Sequence, residues 1–270
     1  MNKKVVMLCE SAIMIALATV LSMLKLIDMP YGGSITAFSM VPIIVISFRY
    51  NCKCGLLTGF VFSLIQLLLG SSNLSYATSL VAGIAIVLLD YVFAFSFLGL
   101  SGVFKNKIKN TAVAATVGAL TVCIIRYVCH VISGCTVWAG VSIPSTDGLV
   151  YSLGYNAAYM IPETIITVCM TFWLFSCFDF TSKTIVRLKK EDRSTSSAVF
   201  SSLSVLSILG SVIFDLIVLF FTIQDENGYN FSLIGNANFV LIGVVLGAGI
   251  VLGIAFALVA KFSSKPASAK

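Results

Sequence analysis

The run SLVAGIAIVLLDYVFAFSFLGLSGV, residues 79–103, contains a single charged side chain, Asp90. A run of about 20 apolar residues is long enough to cross the hydrocarbon core of a bilayer as an α-helix. Similar apolar stretches recur along the chain, at residues 5–27, 35–49, 55–70, 111–135, 154–178, 199–222 and 236–262. Of the 270 residues 59% are hydrophobic and only 10% are charged, against about 25% charged in a typical soluble domain. The sequence therefore predicts an all-α integral membrane protein with eight transmembrane helices.

Basic residues lie almost entirely in alternate connections between these stretches. The basic connections hold Lys3 and Lys4; Arg49 and Lys53; Lys105, Lys107 and Lys109; Lys183, Arg187, Lys189, Lys190 and Arg193; and Lys261, Lys265 and Lys270. Cytoplasmic loops of membrane proteins carry an excess of Lys and Arg. We therefore predict a multi-pass protein of the cell membrane, surrounded by the lipid bilayer, with both termini in the cytoplasm. The net charge of +6 follows from this topology, so we predict no binding of nucleic acid.

A polar segment rich in Ser, Lys and Arg divides the chain into two parts. We predict a substrate-binding membrane domain over residues 1–180, a cytoplasmic linker over 181–198, and a transmembrane helix pair with a short tail over 199–270. The last helix carries two steps of small residues four positions apart, Gly243 to Gly247 and Gly249 to Gly253. Such steps let membrane helices approach closely.

The eight cysteines form no recognisable framework. Most lie inside apolar stretches, where free cysteine behaves as a small hydrophobic residue. Cys52 and Cys54 lie in a predicted cytoplasmic loop, where thiols stay reduced, and the only histidine, His130, is far away in the sequence. We therefore predict no metal site and no bound cofactor.

The ionisable residues inside the predicted membrane spans include Asp90, Arg126, His130, Glu163 and Asp215. A charge near the bilayer centre costs several kcal/mol, so each of these residues needs a partner or a function. One interpretation is that the groups pair with each other and hold the bundle together, with Asp90 and Arg126 as the obvious couple. The other is a polar cavity between helices that opens to the outside.

Aromatic and amide residues favour the cavity. Tyr76, Trp138, Tyr151 and Asn156 all fall in the outer half of the membrane in the predicted topology. Single Trp and Tyr residues there are ordinary interfacial anchors. Several of them beside an acid and a histidine predict the wall of a pocket for a planar, cationic ligand, which stacking and cation–π attraction would bind.

Four sequence segments resemble the thiamine-binding S component of energy-coupling factor (ECF) vitamin transporters. They are ESAIMIALA at 10–18, LDYVFAF at 89–95, RYVCHVISG at 126–134 followed by Trp138, and VYSLGYN at 150–156. Their order and spacing match over about residues 5–180. The resemblance implies a six-helix S-component-like bundle, to which this chain adds two transmembrane helices.

The resemblance also implies a vitamin site near the outer face. The substrate-binding residues would be Asp90, Tyr91, His130, Trp138, Tyr151, Asn156 and Tyr76, and the ligand would be thiamine or a related precursor. This chain has Asp90 where the family usually has Glu, and Glu163 where the family is usually uncharged. In S components a face like that of Ala12 and Ala16 docks the transmembrane coupling subunit, which works with two ATPase subunits. Packing inside the bundle is the alternative role of these alanines.

The leading functional hypothesis is a substrate-capture subunit of an ECF-type vitamin uptake transporter, without enzymatic activity. The chain has no Gly-x-x-x-x-Gly-Lys-Ser/Thr loop, so ATP would have to be used by separate subunits. The alternative is an ion-coupled secondary transporter of a small polar or cationic solute, using the intramembrane acids Asp90, Glu163 and Asp215. A third class, an intramembrane enzyme, lacks support because the sequence has no metal-ligand cluster and no spacing typical of a nucleophile and its base.

Overall fold

The structure is a computed structural model that describes residues 2–29, 32–77, 79–137, 146–182, 184–188, 195–222, 224–225, 228–229 and 231–263. We number the helices over these residues α1 (Lys3–Met23), α2 (Val41–Arg49), α3 (Cys52–Leu69), α4 (Leu80–Phe104), α5 (Thr111–Val137), α6 (Thr146–Cys177), α7 (Thr195–Thr222) and α8 (Phe239–Phe262). Short 3-10 helices occupy Ser71–Tyr76 and Phe231–Asn236. Three antiparallel strand pairs join β1 (Lys25–Asp28) to β2 (Ser34–Thr36), β3 (Phe178–Asp179) to β4 (Val186–Arg187), and β5 (Gln224–Asp225) to β6 (Gly228–Tyr229).

The prediction of an all-α membrane protein is confirmed. Within the described ranges, seven helices are long and apolar enough to cross a bilayer, and they include all the helices named above except α2. Their outward faces carry many exposed large apolar side chains, such as Leu8, Leu68 and Phe262. A soluble protein would expose few such residues together, whereas a helix in lipid exposes them routinely.

The predicted full-length second membrane helix is wrong. The stretch 35–49 forms part of β2, a turn and the helix α2, whose 9 residues span only about 13 Å at 1.5 Å per residue. Pro42 lies in the first turn of α2. Proline is favoured there because its missing N–H would have no partner within the helix, so it marks where the helix begins. All side chains from Val41 to Phe48 are buried, which is typical of a short core helix rather than of a membrane-spanning one.

The segment containing α2 nevertheless runs back along α1. At its start, the backbone N–H of Ala37 donates to the carbonyl of Leu24 at 3.1 Å, just beyond the end of α1. At its end, the Arg49 guanidinium forms an ion pair with Glu10 in the first half of α1. The Tyr50 hydroxyl donates to the same carboxylate at 2.6 Å.

Arg49 also forms hydrogen bonds with two other connecting segments at this end of the bundle. Its Nη1 donates to the carbonyls of Phe180 and Ser182, each at 3.1 Å, and Lys105 Nζ donates to the Arg49 carbonyl at 3.4 Å. In the turn after β3, the hydroxyls of Ser182 and Thr181 donate hydrogen bonds to the carboxylate of Asp179. These bonds lower the pKa of Asp179 from the usual 3.8 to about 2. Connections that the sequence predicts to be cytoplasmic therefore meet at one end.

Side-chain caps set where several helices begin. Asn51 accepts from the backbone N–H of Cys54 at 2.9 Å before α3, and Ser79 accepts from that of Ala82 at 3.1 Å before α4. Asn and Ser are favoured at these positions because their oxygens satisfy N–H groups that lack a partner in the first turn. The caps therefore separate the apolar stretches into distinct helices.

Helix α4 is irregular along most of its length. It is α-helical over Leu80–Ala85, π-helical over Ile86–Phe93, briefly α-helical again, and 3-10 over Phe97–Phe104. The 3-10 part lies against α3 so closely that an added Cβ at Gly99 would overlap the backbone of Gly55. π-helical turns are rare and occur frequently at functional sites.

The chain divides into two compact units, Met1–Arg187 and Leu188–Lys270. In the second unit, an added Cβ at Gly249 would overlap the Ser211 side chain, and one at Gly253 would lie 2.8 Å from Ile208. Of the two small-residue steps predicted from sequence, the step from Gly249 to Gly253 is the one at which α7 and α8 pack. The open space around the other, Gly243 and Gly247, leaves its role a prediction, as are the roles assigned to the two parts of the chain.

Candidate functional site

A cavity of about 430 Å³ lies in the first unit, within the size range of sites for small organic ligands. The ends of α1 and α3, the β1–β2 hairpin, and the helices α4, α5 and α6 contribute its wall. The hairpin is held against α6 because the backbone N–H of Gly33 donates to the Tyr155 hydroxyl at 3.1 Å. The lining mixes aromatic, amide, hydroxyl and charged side chains.

Five of the seven substrate-binding residues predicted from sequence line this one cavity: Tyr76, Asp90, Tyr91, His130 and Asn156. Trp138 lies outside the described residues. Tyr151 belongs to α6, but its side chain is not among those described. The structure therefore brings together residues that are up to 80 positions apart, Tyr76 and Asn156.

Asp90 lies in the π-helical part of α4 and is 28% exposed. His130 Nδ1 lies 2.7 Å from its Oδ1, and the Ser133 hydroxyl donates to its Oδ2 at 2.5 Å. Both donors come from α5, three residues apart, so one face of α5 fixes the carboxylate. The exposed part of the carboxylate is available to a ligand in the cavity.

The protonation of the His130 ring follows from its neighbours. Arg126 Nε donates to His130 Nε2 at 3.2 Å. Because Nε2 accepts this hydrogen bond, the ring proton of neutral His130 is on Nδ1, where it is donated to Asp90. The imidazole therefore links the guanidinium to the carboxylate.

Arg126 does not pair with Asp90, so the predicted couple is wrong. Its partner is Glu163 of α6, with 3.1 Å between Arg126 Nη1 and Glu163 Oε2. The other oxygen of Glu163 accepts from the Thr36 hydroxyl at 2.7 Å. The guanidinium carbon also lies 4.5 Å from the centre of the Phe95 ring, a favourable cation–π geometry.

Tyr91 is next to Asp90 and closes a different part of the wall. Its hydroxyl donates to the carbonyl of Gly70 at 2.9 Å and accepts from Asn73 Nδ2 at 3.0 Å. These bonds attach α4 to the connection that follows α3. The ring is buried, with 7% exposure, so Tyr91 offers an aromatic surface to the cavity rather than a free hydroxyl.

Asn156 ties α5 to α6. Its Nδ2 donates to the carbonyl of Ser152 at 2.9 Å and lies 3.3 Å from that of His130, while its Oδ1 accepts from the Tyr159 hydroxyl at 2.7 Å. The two helices approach so closely here that an added Cβ at Gly134 would overlap the Ser152 hydroxyl. Asn156 thus holds the cavity wall in position.

The lining residues that were absent from the set predicted to bind substrate include Arg126, Tyr155, Tyr159 and Glu163. The spacing of Asn156, Tyr159 and Glu163 is i, i+3, i+7, which places them on one face of a helix. The same rule places Arg126 one turn before His130. These residues could therefore have been found by extending the segments 126–134 and 150–156 with helical spacing.

Three charged residues of the cavity, Asp90, Glu163 and Arg126, together carry one excess negative charge. Among its described lining residues, Asp90 and Glu163 are acidic and Arg126 is basic. Lys25 also lines the cavity, but it forms an exposed ion pair with Asp28 at 2.8 Å, and this pair adds no net charge. Two carboxylates against one guanidinium suit a ligand with a single positive charge.

The third predicted intramembrane acid belongs to the second compact unit. Asp215 belongs to α7 in the second unit and is 9% exposed. Both of its carboxylate oxygens are buried without a hydrogen-bond partner among the described residues.

Ala12 and Ala16, the predicted partner interface, lie on an exposed face of α1. The buried residues of this helix are Ser11, Ala18 and Ser22. The docking role of the two alanines stays a prediction.

A family model described as Thiamine transporter protein (Thia_YuaJ) matches residues 8–183. The chain belongs to the thiamine transporter protein family. It is 36% identical to the thiamine transporter ThiT of Bacillus subtilis (strain 168) over 203 residues, 71% of this chain and 98% of that protein. It is 25% identical to ThiT of Lacticaseibacillus paracasei over 180 residues, 62% of this chain and 85% of that protein.

A solved structure of ThiT from Listeria monocytogenes has the same fold. Its TM-score is 0.51 at 25% identity, and the match covers 64% of this chain and 95% of that one. Membership of the thiamine transporter family confirms the resemblance to the thiamine-binding S component of ECF transporters. It supports the substrate-binding subunit over the ion-coupled secondary transporter. The family match ends at residue 183, within the first compact unit.

Proposed function

We propose that this chain captures thiamine, or a closely related precursor, in the cavity between α4, α5 and α6. The observation that carries the proposal is the partly exposed carboxylate of Asp90, whose charge is left unneutralised because Arg126 pairs with Glu163. The thiazolium ring of thiamine is a permanent cation, and a carboxylate in a site that excludes water attracts it strongly. Membership of the thiamine transporter family supports the same ligand.

The residues have distinct roles in this proposal. Asp90 binds the cationic or polar part of the vitamin, and His130 and Tyr91 provide ring surfaces beside it. Trp138 and Tyr151 add aromatic wall, and Tyr76 borders the opening. Asn156 keeps α5 and α6 in register, since its amide already bonds to both helices.

The chain acts without enzymatic activity and depends on partners for energy. In this proposal, Ala12 and Ala16 dock an ECF transmembrane coupling subunit, and two ATPase subunits drive release of the vitamin. Both termini lie in the cytoplasm, and the cavity opens to the outside. This orientation is supported by the opposite end, where Arg49, Lys105 and the 180–182 turn lie together. Basic connections favour the cytoplasm.

Isothermal titration of the purified protein in detergent tests the ligand. We expect thiamine to bind at submicromolar to micromolar concentration, and choline, a cation without aromatic rings, to bind far more weakly. Trp138→Ala should weaken thiamine binding because the rings of thiamine lose an aromatic stacking partner. Protein that is folded by circular dichroism but binds no thiamine, thiamine precursor or pyrimidine analogue at micromolar concentration would refute the assignment.

A further inference from the structure

Glu163 is the most deeply buried charged residue of the cavity, with 1% exposure. Each of its oxygens has a partner: Oε2 accepts from Arg126 at 3.1 Å and Oε1 accepts from Thr36 at 2.7 Å. A ligand therefore finds little of this carboxylate to contact. Its influence has to pass through Arg126.

Arg126 donates hydrogen bonds to three neighbours, Glu163, Met40 and His130. Nη1 donates to Glu163, whereas Nε donates to His130 Nε2 at 3.2 Å. The ion pair with Glu163 fixes the plane of the guanidinium, and this plane directs Nε–H at the imidazole. The imidazole in turn keeps its proton on the side of Asp90.

Without the charge of Glu163, Arg126 would be a buried cation without its carboxylate partner, linked to Asp90 through His130. The cost of burying an unpaired charge would draw the guanidinium toward Asp90. The summed charge of Asp90, Arg126 and Glu163 would also change from one negative charge to none. Asp90 would then have less attraction to offer to a cationic ligand.

We propose that Glu163 is a positioning residue that makes the cavity selective for a permanently charged organic cation. It neutralises Arg126 and so reserves the charge of Asp90 for the ligand. This inference rests on the proposed function, because it concerns the same cavity and the thiazolium ring of thiamine.

The test compares two ligands of the same shape and different charge. One is thiamine, and the other is an analogue in which an uncharged thiophene ring replaces the thiazolium ring. The measured quantity is the ratio of their dissociation constants, analogue over thiamine, in wild type and in Glu163→Gln. We expect the ratio to fall roughly ten-fold in the variant, as loss of one nearby charge in a partly desolvated site implies.

Two further variants separate charge from packing. Thr36→Val removes the hydrogen bond to Glu163 but keeps every charge, so it should leave the ratio unchanged even if both ligands bind more weakly. The double variant Glu163→Gln/Arg126→Gln restores one net negative charge and should restore the ratio of the wild type. A purely structural role for Glu163 would weaken both ligands equally and would not be rescued by the second substitution.

The outcomes are distinct. Wild-type protein that binds neither ligand would refute the proposed function itself. Wild-type protein that prefers thiamine, with the same preference in Glu163→Gln, would overturn only the role of Glu163. If Glu163→Gln does not fold, the double variant decides alone, since it buries no unpaired charge. A ratio near one in that variant would overturn the proposal.

Discussion

Nδ1 of His130 lies 2.7 Å from Oδ1 of Asp90, and this hydrogen bond joins helix α5 to the π-helical turn of α4. Ser133, three residues further along α5, donates to the second carboxylate oxygen. The orientation of Asp90 is therefore set by the protein before a ligand arrives. A group that is already oriented loses less entropy on binding, which favours affinity.

We expect Asp90→Asn to weaken thiamine binding strongly. The amide keeps the shape of the side chain but removes the charge, and loss of a charge-assisted contact costs about 2–3 kcal/mol. This corresponds to a roughly 30- to 150-fold rise in the dissociation constant. Titration calorimetry of the purified variant measures it.

Ser133→Ala is the matched control for Asp90→Asn. It removes one hydrogen bond to the carboxylate and leaves the charge in place, so the expected cost is only about 1 kcal/mol. Equal losses in the two variants would mean that orientation, and not charge, is what Asp90 contributes. Affinity close to that of the wild type in Asp90→Asn would remove Asp90 from the site.

A chain that ends after Arg187 should bind thiamine as the full chain does. The described residues that line the cavity all lie between Ser22 and Glu163, inside the first compact unit. The Bacillus subtilis relative matches this chain over 98% of its own length while covering 71% of this one. We expect dissociation constants within about two-fold of each other. A shortened protein that is folded but binds ten-fold more weakly would assign residues 188–270 a part in the site.

Replacing Ala12 or Ala16 with Phe should abolish uptake and leave binding intact. Both alanines are exposed on α1, so a larger side chain disturbs a docking partner without entering the core of the first unit. Uptake of labelled thiamine by cells and calorimetry on the solitary subunit measure the two properties. Ala257→Phe, at an exposed position of α8, is the control for a bulky residue facing lipid. Parallel loss of uptake and binding would return the alanines to internal packing.

Single cysteines in a cysteine-free background should report the topology. Lys107→Cys lies in an exposed position after α4, at the same end as Arg49, and should be protected from an impermeant reagent in intact cells. Ser75→Cys is exposed in the 3-10 helix beyond the other end of α3, and it should react. The reverse pattern would place the cavity on the cytoplasmic side.

The sequence predicted the class of fold because apolar stretches are a local signal. The limits of α3, α5 and α8 follow the apolar stretches closely. The stretch 35–49 differed because hydropathy alone does not tell a helix surrounded by lipid from one surrounded by protein. The β1–β2 hairpin was not predicted either. The five residues between the two strands, which include Pro30, resemble an ordinary loop in the sequence.

The site was partly predictable for a similar reason. Asp90 and His130 were found because ionisable residues are rare inside membranes. Their partners were not, because pairing depends on how α4, α5 and α6 rotate against each other. The pair of Arg126 with Glu163 instead of Asp90 is such a case: a sequence gives the list of charges but not the angles between helices.

The π-helical turn of α4 makes the length of this helix as important as its composition. One residue fewer between Ile86 and Phe93 would allow an ordinary α-helical turn, and each residue of an α-helix advances the chain by about 100°. Asp90 and the residues before it would then rotate relative to the part of α4 that packs on α3. In comparing family members, a one-residue insertion or deletion here is therefore a larger change to the vitamin pocket than most substitutions.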